Sequence, residues 1–223
     1  MTEHAIDSNG HIQNIVDDWG DAKQTYHVPW GKLMMWIFLV SDTFIFSCFL
    51  VGYMAVRMSA TEPWPFPSEV FALELFGQNI PLILIAIMTF ILITSSGTMA
   101  LAVRYAHFRD KKKIALFMLI TALFGASFVG MQAFEWTKLI SEGVRPWANP
   151  FGAHQFGSVF FMVTGFHGLH VSIGVIYLLT VAFKVNRGDY DKKNNYEIVE
   201  ITGLYWHFVD LVWVFIFAFF YLW

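Results

Sequence analysis

The chain has 223 residues, of which 57% are hydrophobic and only 14% charged, with 24 Phe and a formal net charge of -3. A soluble domain is about 45–50% apolar and about 25% charged, so these figures exclude a soluble domain, a disordered chain and a nucleic-acid binder working through bulk charge. The single cysteine, Cys48, excludes an intrachain disulfide framework and a multi-cysteine metal site.

Residues 1–28 are polar, carry Asp17, Asp18 and Asp21, and contain no apolar run. They read as a cytoplasmic tail with no signal peptide, which would need a basic start and then an apolar core. Residues 29–223 read as one membrane domain. Its five apolar runs are 33–56, 80–103, 114–137, 156–183 and 199–223. Each reaches the roughly 20 residues that cross a hydrocarbon core of about 30 Å. Barrel strands would alternate apolar and polar residues, and these runs do not, so helices are expected. Trp30, Trp36, Trp136, Trp147, Trp206 and Trp223 fall near the expected ends, where amphipathic rings favour the interface.

The connecting segments set the orientation. The N-terminal segment through Lys32, the loop RYAHFRDKKK (104–113) and the loop KVNRGDYDKKNNYEI (184–198) hold 11 Lys and Arg, against 3 in the other two loops. The positive-inside rule then puts the N-terminus in the cytoplasm and the C-terminus outside, as an odd number of spans requires. The expected fold is an all-α integral membrane protein, a bundle of five transmembrane helices.

Ionisable residues inside a membrane are costly, so each needs a partner, a wet cavity or a function. Helix one has Asp42. Helix three has Gln132 and Glu135, helix four His167 and His170, and helix five Glu200, His207 and Asp210. Residues three, four or seven apart share a helical stripe. Helices three, four and five therefore each carry one polar stripe, and the economical arrangement points the stripes at one another. Spacing alone leaves several readings open: interhelical hydrogen bonding, a metal or haem site, a proton path, or contacts to lipid headgroups or a partner subunit. Small residues (Ser95, Ser96, Gly97 and Ala100; Gly125, Ala126, Ser127 and Gly130; Gly157, Gly165, Gly168 and Gly174) mark faces where backbones can approach closely.

Three segments carry a resemblance. FFMVTGFHGLHVSIG (160–174) and YWHFVDLVWVFIFAFFYLW (205–223) closely resemble, in order and spacing, the two signature segments of subunit III of haem–copper terminal oxidases. GMQAFEW (130–136) is similar to a third conserved block, and Ser41–Asp42 to the family's Ser-Glu pair. The chain resembles the five-helix bacterial branch, which lacks the first two of the seven helices found in larger members. Asp42 is one methylene shorter than the family's carbodiimide-reactive Glu.

The resemblance implies a non-catalytic subunit III of a proton-pumping oxidase of the cytochrome c or quinol oxidase type, part of the respiratory chain that reduces oxygen to water. No cofactor is then expected on this chain. The haems and copper belong to subunits I and II, its expected partners, with further small subunits or a respiratory supercomplex beyond them. Phospholipids are the expected ligands, and the bacterial inner membrane the expected location. Gln132, Glu135, His167, His170, Glu200, His207 and Asp210 become a candidate lipid and interhelical polar network, and Asp42 a candidate proton-linked carboxylate. The alternatives are a quinol oxidase subunit, a homologue attached to a nitric oxide reductase, or, in another class, a stand-alone membrane transporter or enzyme using the His and acid cluster. Against a transporter, the sequence has neither two matching sets of spans nor correspondingly broken helices.

Overall fold

A computed structural model describes residues 29–75, 78–190 and 196–222, with side chains described outside 68–69 and 72–81. The expected tail, 1–28, lies outside the described residues, as does Trp223. The fold is helical, with five helices long and apolar enough to cross a membrane. They are α1 (Trp30–Ser59), α2 (Ile83–His107), α3 (Lys111–Ser141), α4 (Gln155–Arg187) and α5 (Glu197–Phe217). A π-helix, Ala218–Leu222, continues α5. α1, α3 and α5 start at one end of the bundle, called here the near end. α2 and α4 start at the far end.

Most of the helices overrun the apolar segments that announced them. α3 begins at Lys111, within the basic run, because the last turns of a spanning helix stand in the headgroup region where charge is welcome. The Asp110 side chain accepts from the Lys113 amide and caps it. α2 is the exception: residue 80 was expected to be helical, but the helix starts at Ile83. Ala72–Leu75 and Gln78–Pro81 instead pair as an antiparallel hairpin, β1 and β2, with Leu73 opposite Ile80. Pro81 lacks the amide that a helix interior needs.

α5 is the hub. It packs on α1, α2 and α4, while α3 lies across α2 and α4. Over half of its most apolar window is buried, against 17% for α1. Trp206, expected at an interface, is 1% exposed and fills the centre. A Cβ on Gly125 would collide with its indole, and one on Gly174 would stand 3.0 Å from it. Its N–H donates to Ser95 Oγ at 3.0 Å. Trp206 therefore packs inward and not at the interface, because glycines on two other spans leave room for its indole. Two turns on, Trp213 donates to Thr89 Oγ1 at 3.1 Å, again from α5 to α2.

The far end is closed by aromatic rings and crossed loops. Tyr53 and Phe220 meet at 4.2 Å and Phe71 and Tyr221 at 4.5 Å between centroids. The Ala153 amide donates to Pro63 O at 3.1 Å, tying the α3–α4 loop to the α1–α2 segment. Gly152 sits at this crossing with φ +145°, where a Cβ would strike the Pro63 carbonyl. Only glycine satisfies both constraints.

Candidate functional site

The expected network does not form as one body. The eight candidate residues fall into separate centres at different depths.

Glu135 lies at the far end of α3 and is 3% exposed. Gln132 Nε2 donates to its Oε2 at 2.8 Å, one helical turn away. The Tyr221 hydroxyl stands 3.2 Å from both carboxyl oxygens. Tyr221 reaches them because the chain winds wide in its π-turn, so that Phe220 and Tyr221 are both buried. Beside Glu135, among Val70, Phe71, Leu84, Ile85 and Leu139, is a void of about 10 Å³, at the lower limit for one water.

Halfway along the bundle, His170 on α4 faces Asp42 on α1. Nε2 is 3.4 Å from Asp42 Oδ2, longer than a tight charge-assisted bond. Nδ1 is 2.8 Å from the Phe166 carbonyl, which can only accept, so Nδ1 carries hydrogen. In the neutral ring Nε2 is then an acceptor facing a carboxylate. The pair becomes attractive only when it holds one more proton, on the ring or on the carboxyl. Asp42 and His170 thus face each other across two helices at a distance a direct hydrogen bond would have to shorten. The Tyr205 hydroxyl donates to the His170 carbonyl at 3.0 Å and fixes α5 against this turn.

His167, one turn earlier, is not joined to it by any hydrogen bond. Its ring is 1% exposed and neither nitrogen has a partner among the described residues. It stacks on Trp213 at 5.4 Å and meets Phe128 edge-on at 5.9 Å. His167 is a packed ring in an aromatic box.

His207 and Asp210 form a third centre. His207 Nδ1 lies 2.5 Å from Ser96 Oγ on α2, and Asp210 follows one turn later on α5. Asp210 is buried, and its Oδ1 has no partner among the described residues. Glu200 stands apart at the near end. It is ion-paired to Lys32 on α1 and lies 3.7 Å from His107 Nε2 on α2. An open cleft of about 310 Å³ adjoins it, lined also by Pro29, Arg109 and Tyr196.

Residues that spacing did not reveal complete each centre: Tyr221 for Glu135, Tyr205 for His170, Lys32 and His107 for Glu200. All come from other helices, and a period on one helix carries no information about them. Ser96, expected as a small packing residue, also hydrogen-bonds His207. As to ligation, no three His, Cys, Asp or Glu side chains converge among the described residues.

The model of the cytochrome c oxidase subunit III family matches residues 19–223. The chain belongs to this family. Two relatives named "Probable quinol oxidase subunit 3" agree. The protein from Staphylococcus aureus (strain USA300) is 33% identical over 208 residues, covering 93% of this chain and 94% of the relative. The one from Staphylococcus epidermidis is 31% identical over the same shares. The resemblance drawn from residues 130–136, 160–174 and 205–223 is therefore correct. The chain is a subunit III of a haem–copper oxidase, part of an oxidoreductase complex. The family's signature segments are also where Glu135, His170, His207 and Asp210 lie.

Proposed function

We propose that the chain is a non-catalytic subunit of a proton-pumping terminal oxidase in the bacterial inner membrane, with its N-terminus in the cytoplasm. In this reading it stabilises subunit I, holds phospholipid and supports proton uptake, while the haems and copper sit in subunits I and II. The observation that carries it is the family match from residue 19 to residue 223. The excess of Lys and Arg at the near end supports the orientation. The names of the staphylococcal relatives favour quinol as the electron donor of the complex.

The Asp42–His170 pair is the group suited to the proton-linked role, because its geometry calls for one shared proton between two helices. Asp42→Asn removes that proton site while keeping shape. In the purified complex it is expected to slow proton uptake at alkaline pH. An unchanged rate there removes the assignment. The complex should carry this chain together with a haem–copper subunit I, and solitary purification overturns the reading. Glu135→Ala should leave the first turnovers of oxygen reduction intact. Their immediate loss in a whole complex would make the chain catalytic.

A further inference from the structure

α1 packs chiefly on α5, and α2, whose main partner is α3, also rests on α5, while α1 and α2 make little contact with each other. A furrow opens between them with α5 as its floor. Its near half is a cavity of about 430 Å³. Lys32, His107 and Glu200 stand at its mouth, apolar residues such as Leu204 line it, and His207 bounds it in the deep direction. His207 is ten residues beyond the start of α5 at Glu197. A rise of about 1.5 Å per residue puts it about 10 Å beyond Glu200 at the mouth, inside an apolar core of about 30 Å.

His207 is half-engaged. Nδ1 meets Ser96, but Nε2 has no partner among the described residues, and it is not among the buried unpaired atoms. It opens on the furrow. Hydrocarbon offers nothing to hydrogen-bond, so an imidazole nitrogen left facing it at this depth is costly. The wall beside it is low. Gly97 on α2 is exposed, with open space where a Cβ would stand, and Ala100 is exposed one turn nearer the mouth. Small residues at such a place let another backbone approach closely. An acyl chain would fill the apolar part of the furrow and still leave Nε2 bare.

We propose that this furrow seats a membrane-spanning helix of another subunit, and that this helix carries, within the apolar core, a hydrogen-bonding side chain that meets Nε2 of His207. The proposal rests on the reading that the chain works inside an oxidase complex. It adds where the neighbouring helix lies and which side chain sets its register. The Ser96 hydroxyl holds the His207 ring in place for that contact, and the small residues of α2 give the incoming backbone room.

The test uses the intact complex with a photo-reactive benzoylphenylalanine placed at Leu204, in the furrow, and separately at Leu123, an exposed position on α3. Irradiation at the furrow position is expected to join this chain to a membrane-spanning peptide of another subunit, identified by mass spectrometry. The Leu123 position is expected to give lipid adducts. Lipid adducts alone from the furrow, in a complex that remains whole, overturn the proposal and leave the assembly reading standing. In the same background His207→Gln, which keeps a hydrogen-bonding group, should preserve the furrow cross-link. His207→Leu should lower its yield roughly three- to tenfold, the range expected from losing one interhelical hydrogen bond. Equal yields from the two variants overturn the role given to His207.

Discussion

Glu135 and Glu200 are both glutamates near an end of the bundle, and they are held in opposite ways. Glu135 is sealed, and its oxygens meet neutral donors, the Gln132 amide and the Tyr221 hydroxyl, both fixed by packing. Glu200 borders a cleft, and its oxygens meet Lys32 and His107, whose side chains are partly in the open. Where water is excluded, a carboxyl group is satisfied by groups that cannot move away. Where water reaches, a flexible cation serves, because solvent stands in for it when it leaves. The first arrangement ties helices together and the second only biases them. The two ends should therefore respond very differently to substitution.

The sharpest way to break this contrast is Glu135→Ala. It orphans Gln132 and Tyr221 and opens a cavity, at a cost of about 3 kcal/mol. The expected outcome is early loss of this subunit from the detergent-solubilised complex on heating. Glu135→Gln, which keeps shape and acceptor, should cost under about 1 kcal/mol. A mild effect of the alanine variant would mean that the far end is not a lock. Next comes the packing beneath it. Gly125→Ala drives a methyl into the Trp206 indole and should cost about 1–3 kcal/mol, read as a lowered thermal midpoint. If Gly125→Ala is neutral, Trp206 is not the wedge that holds α3 and α4 on α5.

These two positions also show what was legible in the sequence. The five spans were visible because hydropathy integrates over 20 residues and needs no partner. Their ends were not, since charged turns in the headgroup region look like loops. The hairpin at 72–81 leaves almost no strand signal, because ALEL alternates only over Leu73–Leu75. The polar residues could be found by type and grouped along one helix. Their partners could not, because Tyr221 is 86 residues from Glu135 and Ser96 is 111 from His207. Stripes that share a face on each helix were expected to meet. The structure offsets them along the bundle axis, so that Glu135, His170 and Glu200 stand at three depths. Trp206 was misplaced for the same reason. Its depth is set by glycines on α3 and α4.

The open end predicts smaller changes. Lys32→Ala removes a partly exposed ion pair with Glu200 and should cost at most about 1 kcal/mol. Because exposed pairs are screened, the difference from the wild type should shrink at high ionic strength. A cost that is large and insensitive to salt would put Glu200 in the same class as Glu135 and dissolve the contrast.

The smallest effect belongs to Asp110, in the turn between α2 and α3. Its carboxylate takes a 3.4 Å hydrogen bond from the Lys113 amide and a 3.1 Å contact from the Lys113 ammonium. These hold the carboxyl below its ordinary value of 3.8, the Lys113 side chain contributing most. A carboxyl depressed in the folded state favours folding above its unfolded value, and that contribution fades as pH falls through the folded one. Asp110→Ala should therefore speed amide exchange in the first turn of α3 at neutral pH, and the difference should close in acid, below the ordinary carboxylate range. Asp110→Asn keeps an N-cap acceptor that does not titrate, so its first turn should hold through the same descent. A wild-type and Asn pair that lose protection together in acid would show that the turn is held by something other than this carboxylate. At a solvated edge, then, a charged cap should tune one turn by pH and leave the bundle intact, whereas the sealed Glu135 holds the helices of the far end together.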